Sequence, residues 1–171
     1  PRYRPDVLVA GTEVIVYGGS ASTCFTDGAR FDTVTNQWRP MSTVGAPALC
    51  GFVWSGAAAA WTGIDALFFG TYNPDPQVGG YRYTPATDTW STLPRGDPCD
   101  RYEPTGVWTG SEFIVWGGAT YAGCPVPYGM RRGYRYRPAT DSWTPMTLTQ
   151  TPDPQERTSS VWTGREVVFY G

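Results

Sequence analysis

Four short apolar runs recur along this 171-residue chain, each behind the same kind of polar turn. Ala10-Gly11-Thr12-Glu13 leads into Val14-Ile15-Val16-Tyr17, and Thr62-Gly63-Ile64-Asp65 into Ala66-Leu67-Phe68-Phe69. Thr109-Gly110-Ser111-Glu112 leads into Phe113-Ile114-Val115-Trp116, and Thr163-Gly164-Arg165-Glu166 into Val167-Val168-Phe169-Tyr170. Runs of four mostly β-branched or aromatic residues between turn signals predict short buried strands. A second apolar stretch precedes each turn: Val7-Leu8-Val9, either Val53-Trp54 or Ala59-Ala60-Trp61, Val107-Trp108, and Val161-Trp162. Glycine supplies the positive φ of a tight turn, so each pair of stretches predicts an antiparallel hairpin.

Two more strands follow in each unit. Ala29-Arg30-Phe31, Tyr81-Arg82-Tyr83 and Tyr134-Arg135-Tyr136 predict a third, and Trp38, Trp90 and Trp143 open a fourth after a polar turn. From Trp38 to Trp90 is 52 residues and from Trp90 to Trp143 is 53, a period that marks one supersecondary unit copied in series. Pro40 and Pro145 place the fourth strand at an outer edge, where a missing N–H does no harm. Each unit is then a four-stranded meander, apolar on both faces, that needs a sheet on either side. Radial stacking of twisted sheets supplies this, with each Trp filling the seam beside it.

Four apolar residues, a glycine pair, then an aromatic and a Trp beyond six intervening residues resemble the kelch motif. The glycines are Gly18-Gly19, Gly70, Gly117-Gly118 and Gly171. With its Val-Trp-Thr-Gly-x-Glu segments the chain is similar to secreted bacterial kelch repeat proteins. The resemblance covers nearly the whole chain. It implies an all-β, kelch-type β-propeller with an incomplete ring: three four-stranded antiparallel blades and the first two strands of a fourth. The blades span about 4–46, 47–98 and 99–152, and the half blade 153–171. The expectation is a piece of a longer chain, with the remaining blades supplied by that chain or by another. Unit two departs from the pattern: Gly70-Thr71 replaces the glycine pair, and extra residues lie between Gly51 and Gly63. A sialidase-like propeller fits less well, because Asp88-Thr89-Trp90 and Asp141-Ser142-Trp143 lack a glycine between Asp and Trp.

Composition narrows the chemistry. All 13 basic residues are Arg, with no Lys and no His. An imidazole base or metal ligand and a lysine Schiff base are therefore excluded within these residues. A net charge of −2 argues against a nucleic-acid partner. No run of 18 apolar residues predicts a membrane span. No metal site, cofactor or catalytic constellation is recognised, so the reading leans away from an enzyme.

Cys24 and Cys124 fall in loops between second and third strands, and Cys50 and Cys99 in blade-to-blade loops. In an antiparallel blade both loop types open on one face. The matching separations favour the pairs Cys24–Cys50 and Cys99–Cys124 among three connectivities, with four free thiols as the alternative. Disulfides would place the protein outside the cell or in its envelope.

The same face carries the long irregular segments and the candidate binding residues Tyr72, Tyr121, Tyr128, Arg131 and Arg132. These tyrosines can stack on a sugar or a protein surface and the arginines can meet carboxylates, or the rings simply pack their own loops. Arg95-Gly96-Asp97 spells an integrin-type tripeptide, a cheap match, and Asp97, Asp100 and Glu103 lack regular Ca²⁺-ligand spacing. Glu13, Asp65, Glu112 and Glu166 recur after the hairpin glycine, which points to a turn or strand-entry role. Arg30, Arg82 and Arg135 recur before or within strand three and are expected to bridge blades. Arg4 and Arg157 align before strand one, with Arg101 near the comparable place in unit three.

The functional expectation is a non-enzymatic binding or assembly scaffold that presents one loop face to a protein or glycan. The alternatives are part of a secreted carbohydrate-active or oxidase propeller enzyme with its active site elsewhere, and a structural subunit of a surface assembly or filament.

Overall fold

The computed structural model describes residues 1–49, 56–70, 78–96, 101–120, 133–147, 149 and 158–171. The strands are β1 (Asp6–Ala10), β2 (Glu13–Tyr17), β3 (Gly28–Asp32), β4 (Gln37–Pro40), β5 (Ala58–Trp61), β6 (Ala66–Phe69), β7 (Val78–Thr84) and β8 (Thr89–Pro94). They continue with β9 (Arg101–Tyr102), β10 (Thr105–Trp108), β11 (Phe113–Trp116), β12 (Ala119–Thr120), β13 (Gly133–Arg137), β14 (Ser142–Pro145), β15 (Ser159–Trp162) and β16 (Val167–Tyr170).

Three antiparallel meanders form, in the orders β1-β2-β3-β4, β5-β6-β7-β8 and β10-β11-β13-β14, followed by the hairpin β15-β16. In the second meander the inner strand is the Ala59–Trp61 stretch, resolving the two options that the sequence leaves there. The hairpins close as the turn chemistry dictates. Gly11, Gly63, Gly110 and Gly164 all have positive φ. In the last three hairpins the Thr hydroxyl accepts the acid's amide, as in Asp65 N–H to Thr62 Oγ1 at 2.8 Å.

First strands adjoin in chain order, β1 beside β5, β5 beside β10, and β10 beside β15. Gly106 lets β10 come close to β5, since a side chain there would meet the Ala58 methyl and the Phe113 ring. The sheets are thus wedges around an axis on the side of their first strands. They form a β-propeller whose ring is incomplete within these 171 residues.

The core lies in the seams. Ile15, Tyr17 and Met41 of blade one meet Leu49, Ala66, Phe68 and Tyr83 of blade two. Ala58, Leu67, Phe69 and Leu93 of blade two meet Phe113, Val115, Tyr134 and Tyr136 of blade three. Trp116 and Phe169 begin a third seam, with ring centroids 5.5 Å apart. Burying one aromatic side chain removes roughly 150–250 Å² from water. Because the pleat turns successive side chains to opposite faces, blades two and three each serve two seams.

Candidate functional site

Two polar arrangements repeat with the blades. The first ties each third strand to its own hairpin and to the next blade. In β3, Arg30 lies 3.4 Å from Glu13 and donates to the Pro85 carbonyl of blade two at 3.0 Å, with its guanidinium over the Tyr83 ring. In β7, Arg82 lies 3.7 Å from Asp65 and donates to the Tyr136 hydroxyl of blade three at 2.7 Å. In β13, Arg135 lies 3.7 Å from Glu112, which also accepts from Arg137 at 2.7 Å. Arg30 and Arg82 therefore bridge blades as expected, and the hairpin acids are their in-blade counter-charges.

The turn before each Trp carries a companion network. Asn36, Asp88 and Asp141 all have positive φ, a conformation that short polar side chains tolerate. Tyr83 Oη donates to Asp88 at 2.6 Å and Tyr136 Oη to Asp141 at 2.5 Å. Burial, then the neighbouring carboxylate, pushes both phenols well above their ordinary range. Desolvation pushes Asp88 up, but hydrogen bonds from Tyr83 and the Ser42 amide, with the charge of Arg30, more than offset it, and its carboxyl lies low.

The second arrangement builds the loop face. Arg2 donates to the Gly18 carbonyl at 2.8 Å, and Arg101 to the Gly117 carbonyl at 2.8 Å. Beyond these glycines the chain turns back to pair with the segment ahead of strand one, Tyr3 with Ser20 and β9 with β12. The approach is close: a Cβ on Gly19 would lie 2.7 Å from the Tyr3 carbonyl oxygen, and one on Gly118 2.8 Å from that of Tyr102. Loops after second strands and loops before first strands accordingly share one end of the blades.

At that end Arg4 donates to Glu103, joining blade one to blade three. Both have positive φ and both precede a proline. Glu103 is buried and its amide donates to the Gly56 carbonyl of the intervening blade at 3.2 Å. Glu103 is therefore an interblade anchor. The alignment of Arg101 with Arg4 is corrected: Arg101 corresponds to Arg2, and Glu103 to Arg4. The repeated Arg-Tyr-x-Pro at 2–5 and 101–104 carries this signal in the sequence. Nearby, burial pushes the Asp6 carboxyl up to about 7 against a hydrogen bond from the Ala57 amide.

The structural repeat residues divide. Trp90 and Trp143 fill the first two seams, whereas Trp38 is 59% exposed. Gly96 lies against Trp143, where a Cβ would clash, so this part of the Arg95-Gly96-Asp97 tripeptide is committed to packing. Tyr72, Tyr121, Tyr128, Arg131, Arg132, Cys50, Cys99, Cys124, Asp97, Asp100 and Arg157 lie outside the described residues.

A family model of the Kelch motif matches residues 1–45. That stretch contains β1 to β4, a whole blade, and the meander recurs twice more before the final hairpin. The fold is a kelch-type β-propeller with an incomplete ring. No curated protein matches the chain. Among the described residues, no helix is long and apolar enough to cross a membrane.

Proposed function

We propose that this chain is a non-enzymatic binding and assembly scaffold whose loop face meets a protein or glycan partner. One observation carries the reading. The third-strand arginines are held by the hairpin acids of their own blades, Glu13 with Arg30, Asp65 with Arg82 and Glu112 with Arg135, while Arg4 joins Glu103 between blades. What varies between units is the loop end, and binding concentrates on loops held by a rigid frame. Tyr72, Tyr121, Tyr128, Arg131 and Arg132 are the proposed contacts. The same reading takes Cys24–Cys50 and Cys99–Cys124 as the proposed pairs, which belong to an oxidising location outside the cell or in its envelope.

The test is capture of proteins and glycans by the wild-type chain and by Tyr121→Ala and Arg131→Ala variants. Loss of a bound partner in either variant supports the loop face. Equal capture by all three chains removes it. Peptide mapping without reduction checks the cysteine pairs.

A further inference from the structure

Each complete blade ends on an outer strand, β4, β8 or β14, and among the described residues no strand pairs with the far edge of any of them. Such an edge offers main-chain donors and acceptors to another chain unless something blocks it. Blades one and three carry a block. Pro40 faces Ala29 in β4, and Pro145 faces Tyr134 in β14. The next residue donates inward in each case, Met41 N–H to the Gly28 carbonyl at 3.0 Å and Met146 N–H to the Gly133 carbonyl at 2.9 Å. Inward and outward main-chain groups alternate along an antiparallel strand, so each proline stands where an N–H would point away from the sheet.

Blade two has no proline there. Thr92 faces Tyr81 in the matching register, and Leu93 follows opposite Gly80. Thr92 therefore turns its N–H and C=O outward, as does Trp90 two residues earlier. β8 is also longer than the other outer strands, six residues against four in β4 and β14. Charge does not guard it either. β4 sets Arg39 between Trp38 and Pro40, whereas β8 sets Ser91 between Trp90 and Thr92. Thr89, Ser91 and Thr92 are all exposed.

We propose that β8 pairs antiparallel with β8 of a second copy of this chain, about a two-fold axis at Ser91. Reversal about Ser91 sets Trp90 opposite Thr92 of the second copy, and Thr92 opposite its Trp90. Each of these pairs exchanges two main-chain hydrogen bonds. The two Ser91 side chains meet at the axis, small and uncharged. This match of the edge to itself is what an isologous contact requires, and it selects a second copy over an unrelated strand. The same operation on β4 would set Arg39 against Arg39 and find no N–H at Pro40; on β14 it would find none at Pro145. The edge lies along the outer strand of blade two, apart from the loop face, and its test does not depend on Tyr121 or Arg131.

Sedimentation velocity across a concentration series tests the contact. The wild-type chain is expected to move from monomer to dimer as concentration rises. Thr92→Pro and Ser91→Arg each give β8 the residue that β4 carries at the matching position, so the blade accommodates both; Arg39 already faces Arg30 as position 91 faces Arg82. The two-fold axis doubles every loss, so each variant is expected to weaken dimerisation about tenfold or more. An equal mixture of Ser91→Arg and Ser91→Glu chains is expected to restore the dimer, which misfolded chains cannot do. A wild type that stays monomeric, self-association that survives Thr92→Pro, or a mixture that fails to pair would each overturn the proposal.

Discussion

The indole of Trp90 packs on the ring of Tyr17 in the preceding blade, centroids 4.5 Å apart, and its Nε1–H donates to the Ser42 carbonyl at 2.9 Å. Trp143 repeats the contact on Phe69 at 5.0 Å. Each blade thus inserts its Trp into the seam on its N-terminal side. Trp38 stacks on Phe31 of its own sheet at 5.1 Å and remains 59% exposed.

This asymmetry predicts unequal mutational costs for identical chemistry. Trp90→Ala removes a half-buried aromatic packed in a seam and is expected to cost about 3 kcal/mol. Trp38→Ala is expected to cost under about 1 kcal/mol. Urea unfolding of both variants against wild type measures the difference.

Glycines separate in the same way. Gly11→Ala adds a methyl in open space at φ +66, so only the left-handed backbone penalty of about 1–2 kcal/mol applies. Gly19→Ala adds the same penalty at φ +82 and drives Cβ onto the Tyr3 carbonyl and Pro5 nitrogen. It should destabilise more than Gly11→Ala in thermal melts and break the Tyr3–Ser20 bridge, read as faster hydrogen exchange at Ser20, which donates to Tyr3.

The turn network gives a third expectation. Tyr136→Phe leaves the ring packing intact and deletes the hydroxyl shared by Arg82 and Asp141. A loss of about 1–3 kcal/mol is expected, because charged partners lose a half-buried hydrogen bond. A double-mutant cycle with Arg82→Met isolates the interblade part, and additivity would show that the bridge contributes nothing.

Asp6 and Asp88 make opposite contributions to the pH dependence of stability. Asp6 is raised from 3.8 to about 7 in the fold, so the folded state holds the extra proton. Its contribution is complete below the unfolded value and is lost as pH climbs towards 7. Asp88 is lowered, so its contribution is present above 3.8 and is lost as pH falls towards its folded value. Asp6→Asn is expected to flatten the decline between pH 4 and 7 in a melting-temperature profile. Asp88→Asn should flatten the acid limb.

Much of the fold can be read from neighbouring residues. The Thr-Gly-x-acid turns, the four-residue apolar runs and the aromatic-to-Trp spacing are local signals, and the strands fall on them. The bridging arginines are legible because they recur at one strand position in three units. The Arg4–Glu103 link was not, since it joins residues 99 apart whose meeting depends on how blade three is rotated about the axis. The candidate tyrosines and arginines of the loop face lie outside the described residues.

Trp38 and Trp90 mark the division most plainly. Their local sequences are equivalent, and pattern alone assigned both to a fourth strand with the same inward-facing ring. Tertiary structure shows which sheet covers Trp90: the ring packs on Tyr17 of blade one, because a sheet face is covered only by a neighbouring sheet, and local pattern does not say which sheet that is.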